Sequence, residues 1–290
     1  MKLITCIYNS SEIIALLSEN EREVYPLSQF GIKSSSMNEL ISEISSEDLV
    51  KAADTDRVSE KIPVSNVKLL APIPVPKQDI ICLGVNYTEH AKESARYKLE
   101  KYEGDREYPV YFSKRVNEAL PHNGSIDLKI TSRLDYEAEL AVIIGRDAYN
   151  VKAEDAENYI FGYTILNDIS ARDIQMRHKQ WYMGKSLTGF CPMGPCIVTK
   201  DEIHINDKLK ISSKVNGEIR QNSSTDLMIF KPDYIIEELS SYALLKAGTI
   251  ISTGTPAGVG MGFNPPKFLN KGDIVDCGIE KIGKLTTYIK

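Results

Sequence analysis

Apolar residues alternate strictly with polar or small ones at the start of the stretch RLDYEAELAVIIG, residues 133–145. Along a strand, residues two apart share a face. Leu134, Tyr136, Ala138, Leu140, Val142 and Ile144 therefore form one apolar face that belongs on a core. Asp135, Glu137 and Glu139 project from the other face, followed by Ala141 and Ile143. Like charges on one face repel. Either that face is solvated or a cation lies between the carboxylates, and the strand alone leaves both open.

The same patterning organises the rest of the chain. Residues 2–8 (KLITCIY) and 12–18 (EIIALLS) read as strands joined by turn-forming residues. Residues 37–53 have helical spacing and predict one or two short helices. Residues 61–78 then bring four of the thirteen prolines, which remove donors and favour extended chain. A boundary near residue 70 follows, with a small N-terminal α+β domain (1–70) before a larger one (71–290).

In the larger part, DIICLGVNY (79–87) reads as a buried strand and 88–102 as a polar helix. Strand patterns recur at 139–145, 160–169, 194–200, 208–220, 248–254, 273–279 and 283–289, with Gly, Asn or Asp at the turns. Asn216-Gly217 is a hairpin signal. Only AEDAENY (153–159) and 232–248 look clearly helical there, with a further helix expected after Asp168. The expected class is a mixed α/β, β-rich fold.

Composition narrows the function. The 290 residues carry a net charge of -5, which argues against nucleic acid or an anionic membrane as partner. No apolar run is long enough to span a bilayer. The N-terminus lacks the continuous apolar segment of a signal peptide, so a cytoplasmic location is expected. The five cysteines are scattered. They suit a reducing compartment and buried small hydrophobes better than a disulfide framework or a zinc site.

Candidate chemistry comes from several places. Asp168, in LNDISARD, is a helix cap or a third acid beside Glu137 and Glu139; three carboxylates suit a hard divalent cation. His90 and Glu93 share a helix face, as chance surface residues or as an oriented general base. Lys185, in a Gly-flanked turn, is a solvated lysine or an oxyanion donor. The glycine-rich stretch 252–266 does not complete a dinucleotide fingerprint, and Pro265 and Pro266 forbid the helix that should follow. It reads as a tight loop bringing backbone donors and the Thr255 hydroxyl toward a ligand. RHKQWY (177–182) suggests no chemistry, nor do His122, His178 and His204.

Taken in order, ICLGVNYTEHAKE, LDYEAELAVIIG, FGYTILNDISARDIQ, GKSLTGFCPMGP and STGTPAGVGMGFNPPKFL resemble the fumarylacetoacetate hydrolase family over about residues 72–290. The resemblance implies a mixed β-sandwich roll, usually homodimeric, with the small N-terminal domain of many bacterial members. It implies Glu137, Glu139 and Asp168 as ligands of Mg²⁺ or Mn²⁺. Lys185, Thr255 and Gln175 would contact substrate oxygens, and His90 and Glu93 would ride on a mobile segment, about 88–105. The expected activity is C–C cleavage of a small 2-oxo acid through a metal-chelated enolate. Oxaloacetate decarboxylation and acylpyruvate hydrolysis both fit. Keto–enol isomerisation uses the same enolate, and a non-catalytic metal and organic-acid binder is the reading from another class.

Overall fold

The computed structural model describes residues 1–290 except 46, 47, 50, 51, 53–57 and 206. Strands dominate. The first group is β1 (Lys2–Tyr8), β2 (Ser11–Leu17), β3 (Glu23–Pro26), β4 (Ile62–Pro63), β5 (Lys68–Leu69), β6 (Ile80–Gly84) and β7 (Val110–Lys114). Then come β8 (Gly124–Ile126), β9 (Leu134–Asp135), β10 (Ala138–Ile144), β11 (Ile160–Asn167), β12 (Ser170–Ala171) and β13 (Met193–Thr199). The last are β14 (Lys210–Val215), β15 (Glu218–Ser224), β16 (Ile250–Ser252), β17 (Ile274–Ile279) and β18 (Gly283–Ile289). The α-helices used below are α1 (Met37–Glu43), α2 (Thr88–Lys98), α3 (Arg172–Arg177), α4 (Tyr182–Lys185) and α5 (Pro232–Tyr242).

One sheet of 11 strands runs β4-β3-β2-β1-β13-β11-β10-β16-β6-β7, with β5 paired to β1. A second sheet of five runs β15-β14-β17-β18-β8, and β9 pairs with β12. Most pairings are antiparallel. The exceptions are β16 with β6 and β18 with β8. The sheet does not stop at residue 70, because Lys2 and Leu3 pair with Val198 and Ile197 on β13. Two-residue turns close the hairpins where the sequence signals them. Asn216 and Gly217 take φ of 51° and 82°, the left-handed pair that matches strand twist.

β10 is buried along its whole length. It lies between β11 and β16, in antiparallel register with both. Leu140, Val142 and Ile144 pack into one core with Ile211, Val275 and Cys277 of the second sheet. Ala141 and Ile143 pack into another, with Ile80, Cys82 and Ile197. The solvated-face reading of this strand is therefore wrong: both faces are interior, acids included. The class is mixed α/β and rich in sheet, as the patterning indicates.

Three local readings change. AEDAENY is a 3₁₀ helix, not an α-helix. The helix from Pro232 ends at Tyr242 instead of running to 248. The pattern at 37–53 yields α1, capped by the Ser36 side chain accepting from the Glu39 N–H; its later part lies partly outside the described residues. All five cysteines are buried and unpaired. No helix among the described residues is long and apolar enough to cross a membrane.

Candidate active site

The register of β10 against β11 sets Ala138 opposite Asn167, so Glu137 and Asp168 meet where the two strands end. The Asp168 N–H donates to the Glu137 carbonyl at 2.9 Å. Ligand oxygens of Glu137, Glu139 and Asp168 all lie within 4.8 Å of one another, and all three residues are buried. Asp168 does not cap α3. The residue at that cap is Ala171, with no side-chain bond to the helix.

Buried cations answer most of this charge. Lys114, fully buried at the end of β7, donates to Asp168 Oδ1 at 2.6 Å. Lys185 donates to Asp168 Oδ2 at 2.5 Å and to Glu137 Oε2 at 2.7 Å. It sits at the end of α4 and is 2% exposed, so it is not the solvated turn lysine. Arg172 Nη2 lies 2.6 Å from Glu137 Oε1, while its Nε donates to Asp135 Oδ2 at 2.9 Å.

Glu139 has no such partner among the described residues. Its carboxylate accepts only from the Ser252 hydroxyl at 2.6 Å and the Gly254 N–H at 3.0 Å. The cluster thus sets four carboxylates, counting Asp135, against three cations. Titration follows that inequality. Burial alone would raise Glu137, but Lys185 and Arg172 hold it well below the usual carboxylate range. Burial, then the neighbouring Asp168 and Glu137, push Glu139 well above it. A buried carboxylate short of positive charge, beside two others, suits a divalent cation with oxygen ligands. Glu137, Glu139 and Asp168 fit that group.

The roof of the site is α2, which buries His90, Glu93 and Ser94. His90 Nδ1 lies 3.4 Å from Glu93 Oε2, longer than a usual hydrogen bond, as catalytic pairs often are without substrate. The Gly258 N–H holds the other Glu93 oxygen at 2.8 Å. Gly262 leaves room for it: a Cβ there would come 2.4 Å from Glu93 Oε1. The Gly260 and Met261 N–H groups donate to Asp135 at 2.6 and 3.0 Å. These loop donors thus hold the protein's own acids instead of facing a ligand.

His90, Glu137, Lys185, Gln175 and Thr255 line one cleft between α2 and the acids. Gln175 accepts from Arg172 Nη1 at 3.1 Å. The Thr255 hydroxyl donates to the Ala138 carbonyl at 3.0 Å and accepts from Gln221 Nε2 at 2.7 Å. The structure thus gathers every residue singled out in the sequence. It adds Asp135, Lys114, Arg172 and Trp181, to which the sequence reading gave no role. Trp181, from RHKQWY, lines the cleft and packs edge-on against Phe112, ring centroids 5.3 Å apart. Lys114 ends β7 and Arg172 follows β12, two short strands that the patterning does not single out.

Comparisons with known proteins bear on the family and the fold. The family model for the fumarylacetoacetate (FAA) hydrolase C-terminal region matches residues 79–290. The chain is 48% identical over 229 residues to oxaloacetate tautomerase YisK of Bacillus subtilis, covering 78% of this chain and 74% of that protein. It superposes on a fumarylacetoacetate hydrolase from Exiguobacterium antarcticum with a TM-score of 0.84 and 36% identity, over 100% of this chain and 99% of that one. A 5-carboxymethyl-2-hydroxymuconate delta-isomerase from Mycobacterium smegmatis gives a TM-score of 0.78 and 29% identity, over the same shares of each chain. The chain belongs to the fumarylacetoacetate hydrolase family and is an enzyme of that family.

Proposed function

We propose that the chain catalyses keto–enol tautomerisation of a small 2-oxo diacid of the oxaloacetate class. The observation that carries this reading is the meeting of His90, the Lys185 ammonium and Glu137 in one cleft, with ligand oxygens of Glu139 and Asp168 within 4.8 Å of that of Glu137. The name of the 48%-identical Bacillus relative supports the substrate class.

Tautomerisation moves one proton off C3 and one onto the keto oxygen, and nothing else. His90 is the group for the first transfer. Glu93 engages its Nδ1, and the Gly258 N–H fixes Glu93 in turn. Nε2 is then the nitrogen that exchanges the proton. Lys185 supplies fixed positive charge where negative charge develops on the substrate oxygen. Gln175 and Thr255 line the same cleft and orient the 2-oxo acid end. Glu137, Glu139 and Asp168 would hold Mg²⁺ or Mn²⁺, which when bound supplies a Lewis acid for the substrate's oxygens.

C–C cleavage is the second reading, favoured by the same His90–Glu93 pair, since an oriented imidazole also activates water. One experiment addresses both. Enol oxaloacetate is mixed with metal-stripped and with Mg²⁺- or Mn²⁺-loaded protein, following enol loss and pyruvate release together. An acylpyruvate is run alongside. Fast enol loss without pyruvate beyond the free-metal background, abolished in His90→Ala, is expected. Metal-dependent pyruvate release from either substrate, with enol loss no faster than the background, would overturn tautomerisation in favour of cleavage.

A further inference from the structure

We propose that the cleft-facing side of α2 reads the outer carboxylate of the substrate through Ser94 and Lys98. The inference rests on the diacid reading above and deepens it.

Residues four apart on a helix stack on one face. His90, Ser94 and Lys98 are such a series, and all three line the cleft. With 1.5 Å of rise per residue, the backbone at Lys98 lies roughly 12 Å along the helix from His90. Chemistry is assigned at the His90 end, so the two following turns face whatever extends from C3.

Neither of those side chains has its polar group satisfied by the protein. Ser94 is 7% exposed, and its hydroxyl has no hydrogen-bond partner among the described residues. Lining the cleft, that hydroxyl is free to donate to a ligand oxygen. Lys98 is half-buried and has no carboxylate within ion-pair distance among the described residues. Lys92, on the same helix, differs: it is paired with Glu89 at 2.6 Å.

The Lys98 ammonium instead lies 5.8 Å from the centroid of the Trp181 ring. That ring is held firmly. Phe112 meets it edge-on, and a Cβ on Gly84 would come 2.2 Å from Trp181 Cζ3. A lysine resting on a fixed aromatic face, beside an unpartnered hydroxyl, offers a carboxylate one charged and one neutral donor. A methyl group in that position gains neither.

Two non-reacting acids test this on the full-length, Mg²⁺-loaded protein by calorimetric titration. Malate keeps the second carboxylate, and 2-hydroxybutyrate has a methyl group in its place. Malate should bind more tightly. Lys98→Met should weaken malate about tenfold and shift 2-hydroxybutyrate less than twofold. Ser94→Ala should lower the malate preference by a smaller factor, and Lys98→Arg should retain it. A purely structural role at the end of the helix would weaken both acids alike, and that result would overturn the proposal. So would equal affinities in the unaltered protein. A Lys98-dependent malate preference without enol turnover would retain the outer carboxylate site and remove the tautomerase reading. Enol turnover with a preference indifferent to Lys98 would do the reverse.

Discussion

The floor and the roof of the cleft are built on different principles. The floor is strand and short helix, buried on every side, with Asp168 and Glu137 each gripped by two cations. The roof is a mainly polar helix anchored near the acids by one carboxylate, Glu93, on one loop N–H. Its outer end is open to solvent, with Leu99 just beyond it 95% exposed. Local stability follows the density of such contacts. The floor holds charges where water cannot screen them, and the roof rests on fewer such contacts.

The largest break should come from the floor. In metal-free protein, Lys114→Met leaves Asp168 short of a buried counter-charge and should cost about 3–5 kcal/mol, read as a lower urea midpoint. Loading with Mg²⁺ should recover part of that loss. A comparable perturbation of the roof should leave stability almost alone. Gly262→Ala puts a methyl group against Glu93 and should displace the His90–Glu93 pair. Turnover should fall about 100-fold, the usual scale for an ångström of misplacement. Amide exchange over Thr88–Lys98 should quicken, while that of β10 stays unchanged.

Glu139→Gln separates charge from packing within the floor. Metal affinity, measured by titration, should fall at least ~10-fold, the lower limit for altering even an outer partner of a metal. The metal-free protein should become slightly more stable, because a buried carboxylate repelled by two neighbours has gone.

The smallest effect lies outside the cleft. His122 accepts the Thr286 N–H at 3.1 Å. Burial, then Lys284, lower its pKa below 6.5. Below pH 6.5 the unfolded chain therefore binds a proton that the folded one refuses, and stability falls as pH drops. His122→Gln should flatten that part of the slope, read from urea midpoints at about pH 7.5 and 5.5.

Much of this was legible from the chain alone. Period-two alternation located β10, and the Asn-Gly pair located the β14–β15 hairpin. Both are local effects of side-chain direction and turn geometry. AEDAENY looked helical and is, but it winds as 3₁₀ and not as α; its length does not explain this, since α1 is equally short. The acids were visible, their surroundings were not. Glu137 and Glu139 look the same in sequence whether their face meets water or a second core.

The sequence by itself determined most of the longer strands, the apolar face of β10, and the motifs that mark the family; short strands such as β7 and β8 carried no such pattern. Tertiary structure decided that the acidic face is interior, because β10 pairs on both edges and packs on both faces. It also decided which carboxylate lacks a cation. Lys114 reaches Asp168 across 54 residues and Arg172 reaches Asp135 across 37. Local periodicity describes neighbours along the chain. Ion pairing in a low-dielectric interior depends on distances through space, and only the folded chain sets those.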